Sequence, residues 1–212
     1  MMSRINDNLK ADIKAFFGAS GSGKTYSMLK SVPPGKRALA FDPAGSVTST
    51  DKSFKGVTSW REFMALSKQR GNIRIAYQAP GKANFEKWCK WVFALADARQ
   101  ECYLIVDELS GVTSPAKAPE HWNNIINLGR KFGLKIRAGA QRPPEIDKTL
   151  IGNHNGIWIG HMARTGDAEY LAKETDIHVQ EILKLRSSPY HDCIMFERRG
   201  VYKAHIAKRP VT

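Results

Sequence analysis

Apolar residues along the chain fall into short blocks separated by polar, glycine-rich or proline-rich punctuation, and the spacing inside each block predicts an element. Ile13–Phe17 reads as a buried strand, and after a run of glycine and serine a helix is expected over 26–31. Residues 37–41 form a second apolar strand that stops at Asp42-Pro43, where proline ends regular pairing. The stretch 45–56 is polar and is expected to be a loop or a loosely ordered excursion. Trp60, Phe63, Met64 and Ser67 recur at helical spacing, and Ile73, Ile75 and Tyr77 then alternate as a strand before Pro80-Gly81. Phe85, Trp88, Cys89, Val92, Phe93 and Ala96 make an apolar stripe that predicts an amphipathic helix over 84–99. Packing against a sheet accounts for Trp88 and Trp91 better than base stacking, because both accompany other apolar residues on the helix.

Cys102–Val106 is the next buried strand, and it ends in Asp107-Glu108. A polar linker over 110–119 leads to a helix over 121–132, Leu134–Ala140 returns as a strand closed by Gln141-Arg142-Pro143-Pro144, and 157–160 adds a further short strand. Met195, Phe196 and Val201, Tyr202 flank a turn around Gly200, the pattern of a terminal hairpin. Repeated βα order predicts an α/β domain whose sheet is chiefly parallel and covered on both faces, with a C-terminal antiparallel hairpin. At 212 residues the chain suits one domain, 1–212, with residues 1–10 as a candidate flexible segment.

The punctuation after the first strand carries the strongest chemical signal. Gly18-Ala19-Ser20-Gly21-Ser22-Gly23-Lys24-Thr25 has the G-x-x-x-x-G-K-[ST] spacing of a phosphate-binding loop, set between a strand and a helix as such a loop requires. Glycines let the backbone curl so that several N–H groups converge on phosphate, and the following helix presents its positive end. Lys24 can reach the β and γ oxygens, and Thr25 can offer its hydroxyl to Mg²⁺. ATP with Mg²⁺ is the expected ligand.

Asp107 and Glu108 close a hydrophobic strand, the position where an ATPase keeps its second acidic element. A carboxylate at Asp107 supports Mg²⁺, and Glu108 can polarise the attacking water. Gln141, just beyond the strand 134–140, is a candidate sensor of the γ-phosphate. Arg130, Arg142 and Arg164 are candidates for a guanidinium acting across a subunit boundary, and Arg142 has contact with an adjoining phosphate or DNA as an alternative.

Charge narrows the choice of partner. Lysine and arginine number 33 against 20 acidic residues, a formal +13, which suits an acidic polymer or an anionic membrane surface. The excess is modestly concentrated over 30–37, 130–142 and 198–209 and is expected on a folded surface. The amino end lacks the apolar core of a signal peptide, and no window approaches the ~18 continuous apolar residues of a membrane span. Three cysteines without a C-x-x-C pair and six scattered histidines argue against a disulfide framework or a metal cluster. No nucleophile elbow is present.

Together, Gly18 to Thr25, Tyr103 to Glu108, Gly129-Arg130-Lys131-Phe132-Gly133-Leu134 and Ala140-Gln141-Arg142-Pro143 resemble the FtsK/HerA superfamily of DNA-pumping ATPases, and the small size and motif order resemble the genome-packaging ATPases of tailless, membrane-containing viruses. The resemblance runs from about Ile13 to Ile206. It implies a RecA-like P-loop core, phosphate binding by residues 18–25, Mg²⁺ support by Thr25 and Asp107, water activation by Glu108 and nucleotide sensing by Gln141. It further implies a homo-oligomeric ring, commonly a hexamer, acting on viral DNA with capsid or packaging-vertex proteins, in the host cytoplasm and at the virion vertex, with peripheral contact to a viral membrane. A similar core occurs in filamentous-phage morphogenesis ATPases of the Zot-like family, the first alternative. A nucleotide-regulated structural protein is the second.

Overall fold

The apolar blocks become strands of a single sheet in the computed structural model, which describes residues 4–197 and the backbone of 203–207. In chain order the elements are β1 (Ile13–Phe17), α1 (Lys24–Lys30), β2 (Ala38–Phe41), α2 (Ser46–Thr50), β3 (Lys55–Val57), α3 (Trp60–Ser67), β4 (Arg74–Tyr77), α4 (Lys82–Leu95) and β5 (Cys102–Val106). There follow α5 (Glu120–Leu128), β6 (Leu134–Ala140), α6 (Lys148–Asn153), β7 (Gly156–Ile159), α7 (Thr165–Thr175), α8 (Val179–Leu183), β8 (Cys193–Glu197) and β9 (Lys203–Ala207).

The sheet order is β3-β4-β2-β5-β6-β1-β7-β8-β9. Pairing is parallel from β3 through β7, and β8 and β9 add antiparallel edges. The expected α/β architecture with a C-terminal antiparallel pair is therefore present, although the turn expected around Gly200, with Val201 and Tyr202, lies outside the described residues. Because β6 lies between β1 and β5, the segments leaving these three strands emerge side by side at one edge. That adjacency brings residues 18–25, 107–108 and 141 together.

Side chains along each strand alternate between two faces, and each face has its own core. Phe17, Phe41, Tyr77, Leu104, Val106 and Ile136 pack beneath α3 to α8. Phe85, Trp88, Cys89 and Val92 are the buried stripe of α4, of which Phe85 and Val92 each contribute about 1.5–3 kcal/mol through burial. On the other face Phe16, Ala38, Ala40, Tyr103 and Ile105 meet Met28 and Leu29 of α1 and Val47 of α2. That second face is smaller, and it carries the helix that follows the phosphate loop.

Several expectations need correction. The stretch 45–56 is ordered: Asp42 at the end of β2 accepts hydrogen bonds from the backbone of Val47 (3.1 Å) and Thr48 (3.2 Å), which starts α2, and 55–57 pairs with β4 as an edge strand. A side-chain cap, invisible to apolar periodicity, organises it. The amphipathic helix begins at Lys82 and ends at Leu95, because Ala96 turns extended and Asp97 captures the backbone N–H of Arg99 (3.0 Å). Within the segment 1–10, whose flexibility stands as an expectation, Arg4 donates to the Ala96 (2.6 Å) and Phe93 (2.9 Å) carbonyls, and Asn6 N–H donates to the Lys131 carbonyl.

The basic concentrations are likewise not wholly surface. Arg37 is buried and donates to the Ser67 and Gln69 carbonyls. Arg137 on β6 is also buried, in a fork-to-fork pair with Asp12 (2.8 and 3.0 Å) and bonded to Ser31 at the end of α1 (2.8 Å). Among the described residues no helix is long and apolar enough to cross a membrane, and no group of histidine, cysteine or acidic residues is arranged to hold a metal. Cys89, Cys102 and Cys193 are all buried. Burial pushes the Cys102 thiol up to about 11, so it stays protonated and inert.

Candidate active site

The loop between β1 and α1 is built from both ends. Gly18 N–H donates to the Ala140 carbonyl (3.4 Å) and Ala19 N–H to the His161 carbonyl (2.8 Å), so the loop's start is fixed to the ends of β6 and β7. Gly21 (φ 77°) and Gly23 (φ 86°) then take left-handed conformations that other residues adopt at a cost, and the chain curls back into α1. Beneath the curl lies Trp158 of β7. Its ring is 3.4 Å from where a Cβ on Gly18 would sit and so close to Gly160 that no side chain fits there.

From this curl Lys24 extends under the loop to β5. Its Nζ donates to the Asp107 carbonyl (2.7 Å) and lies 3.0 Å from Asp107 Oδ1, while the Thr25 hydroxyl donates to the same carboxylate (2.9 and 3.1 Å). Lys24 and Asp107 are both buried. An ion pair this withdrawn from water is strong only because each partner is also hydrogen-bonded. The ammonium passes over Gly139 of β6, where a Cβ would stand 3.3 Å from Nζ and 2.9 Å from the Asp107 carbonyl oxygen. Gly139 thus keeps open the path that Lys24 follows.

Glu108 points away from this pair. Its Oε1 accepts from the Ser110 hydroxyl and from the backbone N–H of Gln141 (3.4 Å), while Oε2 is buried with no hydrogen-bond partner. Beside Asp107 on the next strand, burial pushes the Asp42 carboxyl above its ordinary value, against the lowering effect of its bonds from Val47 and Thr48, and the Asp107 charge raises it further.

These groups line one cleft of about 440 Å³, formed by the loop together with Tyr26, Ala44, Ser46, Asp107, Glu108, Gln141 and His191. Its size falls in the range of small-molecule sites. The structure therefore brings Gly18 to Thr25, Asp107, Glu108 and Gln141 together. It does not bring the three arginines with them. Arg130 donates to the carbonyls of Asp7 (2.9 Å) and Leu9 (2.7 Å) at the opposite end of the strands. Arg142 pairs with Glu145 and stands 3.7 Å from the buried Asp167 carboxylate. Arg164 is exposed and precedes α7.

Three features of the site were not foreseen. Trp158 and Gly139 lie in strands that looked like ordinary core, and their roles depend on which strand neighbours which. His191 is brought in from far along the chain with no motif to mark it.

No family model matches the sequence. It is 34% identical over 176 residues to Protein P9 of Pseudoalteromonas phage PM2, covering 81% of this chain and 78% of that protein. Among solved structures, the genome-packaging NTPase B204 of Sulfolobus turreted icosahedral virus 2, in complex with AMP, superposes with a TM-score of 0.73 at 16% identity over the full length of both chains. The conjugation coupling protein TcpA of pCW3 gives a TM-score of 0.54 at 13% identity over 92% of this chain and 59% of its own. The chain therefore shares its fold with the viral genome-packaging NTPase B204.

Proposed function

Because the chain belongs to the family of Protein P9 of Pseudoalteromonas phage PM2, we propose that it is an ATPase motor that hydrolyses ATP to move viral DNA into a preformed capsid. The observation that carries the reading is the convergence of Thr25 with the buried Lys24 and Asp107 under a curled glycine loop, with Glu108 and Gln141 on the strand ends alongside.

The residues fit a magnesium nucleotide. Thr25 and Asp107 form a pair of hard oxygen donors next to an ammonium, and Glu108 Oε2 is a buried acceptor with nothing to accept from. When bound, Mg²⁺ would draw charge from the β and γ oxygens. Loop N–H groups and Lys24 hold the phosphates and neutralise charge as the terminal phosphoryl group departs. Glu108 takes a proton from the attacking water, which forms a bond to the γ-phosphorus as the bond to ADP breaks. Gln141, whose backbone already holds Glu108, registers whether the terminal phosphate is present.

The load is assigned from the family, from the fold shared with a packaging NTPase and from the net +13 charge. In this reading subunits assemble as a ring, commonly a hexamer, in the host cytoplasm and at the virion vertex, touching capsid or vertex proteins and, peripherally, the viral membrane. One of Arg130, Arg142 or Arg164 reaches the neighbouring nucleotide.

The test is steady-state ATP hydrolysis measured apart from nucleotide affinity. Lys24→Ala is expected to lose both, and Glu108→Gln to keep binding while turnover falls by about 10²–10⁴-fold, the worth of a general base. Normal turnover in both variants would refute the assignment. Mixing a Lys24 variant with each Arg→Ala variant should restore activity for the arginine that acts across the interface.

A further inference from the structure

Residues 186–192 cross the phosphate loop from its outer side. Ser187 donates its hydroxyl to the Gly21 carbonyl (3.3 Å), and the N–H groups of Tyr190 and His191 donate to the Ser187 carbonyl (2.9 and 3.0 Å). The ends of the segment are joined through backbone and side chain: Asp192 N–H donates to the Arg186 carbonyl (3.0 Å), and the Asp192 carboxylate accepts from Arg186 Nε (2.7 Å) and from the Arg186 backbone N–H (3.3 Å). Arg186 also lies 3.8 Å over the exposed Tyr190 ring. This closed turn forces His191 into the left-handed region at φ 49°. Such a conformation in a residue other than glycine is retained only where its surroundings fix it, and it is common at ligand clamps.

The turn aims the imidazole into the nucleotide cleft. His191 lines that cleft, and its Nδ1 stands 3.4 Å from where a Cβ on Gly23 would sit. Nδ1 is buried and has no hydrogen-bond partner. A buried ring nitrogen without a partner costs free energy that the fold has no packing reason to accept.

We propose that His191 is a phosphate-contacting residue of the nucleotide site, donating from Nδ1–H to the phosphate chain cradled by Gly21 to Thr25. The proposal rests on the nucleotide-binding reading above and deepens it: the site is completed by a strap about 170 residues further along the chain, docked on the loop through Ser187. Hydrolysis, which changes the phosphate chain, is then felt directly by the segment leading into β8.

Two substitutions separate the donor from the backbone. His191→Gly accepts φ 49° and removes the imidazole, and His191→Asn also tolerates that conformation and keeps an N–H donor near the Nδ1 position. Affinities for ATP and for inorganic triphosphate are measured by calorimetry on the full chain, with Lys24→Ala as the control for the site. His191→Gly is expected to weaken both ligands by about 10-fold, the order of one hydrogen bond to a charged group, and His191→Asn to stay within about 3-fold of the parent. ATP binding by the parent with no loss in His191→Gly would overturn the inference alone. Equal losses in both variants would also overturn it, as would a loss for ATP without one for triphosphate, which would move the contact to the nucleoside. A parent that binds no ATP would overturn the nucleotide-binding reading and this inference with it.

Discussion

Gly139→Ala is the substitution whose consequence the site geometry defines most closely. The added methyl would sit 2.9 Å from the Asp107 carbonyl oxygen and 3.3 and 3.4 Å from Nζ and Cδ of Lys24. An ordinary carbon-to-oxygen approach is about 3.3–3.6 Å, so some atom must yield by about 0.4 Å or more. β6 cannot yield readily: it pairs with β5 on one side and β1 on the other, and the Gly139 carbonyl accepts from Leu109 N–H (2.9 Å). The displacement falls on the Asp107 carbonyl and, through it, on Lys24, whose bond to that carbonyl (2.7 Å) is the shortest of its contacts. Overpacking costs about 1–3 kcal/mol of stability, and a small misplacement of a catalytic group can cost about 10²-fold in rate. ATP turnover should therefore fall about 10–100-fold while thermal unfolding shifts only modestly. Gly152→Ala on α6, where a Cβ meets nothing within 4 Å, should leave turnover unchanged and hold or raise stability by up to about 1 kcal/mol. Full turnover in Gly139→Ala at parental stability would refute the claim that Lys24 needs this path.

Trp158→Ala should cost about 3–5 kcal/mol in chemical denaturation and also weaken ATP binding, because it removes the floor of the phosphate loop; loss of stability with unaltered affinity would contradict that second role. Asp147 is fully buried, capping α6 through Leu150 N–H (3.2 Å) and accepting from Trp122 Nε1 (3.1 Å), and burial raises its carboxyl above 3.8. The folded state thus holds a proton that the unfolded chain has released, so the associated stability is complete below 3.8 and is lost as pH rises through the raised value. Asp147→Asn should flatten stability against pH in that interval, at a cost of about 1 kcal/mol for the Trp122 bond. An unchanged profile would show that Asp147 does not titrate there.

Much of this molecule is legible in its residues because its strands are buried on both faces and stand out as apolar blocks. The phosphate loop is recognisable since glycine positions, Lys24 and Thr25 are fixed by local geometry, and Asp107-Glu108 because they end the most apolar strand. Residues 45–56 escaped because their order comes from Asp42 reaching over to cap Val47 and Thr48, and the edge strand β3 exposes Lys55 and Gly56. Arg137 read as surface charge because nothing local reveals that Asp12 and Ser31 enclose it. Gly139, Trp158 and His191 were missed for a shared reason. Each acquires its role from strand order or from a distant segment folding over the loop, and neither leaves a spacing to read.

The central claim, that ATP turnover moves DNA, is tested most directly by ATP-dependent displacement of a protein obstacle bound to duplex DNA, with Glu108→Gln as the control and the cognate empty capsid supplied. Displacement by the parent and none by Glu108→Gln is the predicted result, together with DNA-stimulated hydrolysis that declines as salt displaces the phosphate contacts. Sustained ATP hydrolysis with neither DNA stimulation nor obstacle displacement would contradict it and favour a morphogenesis ATPase that acts on a protein assembly.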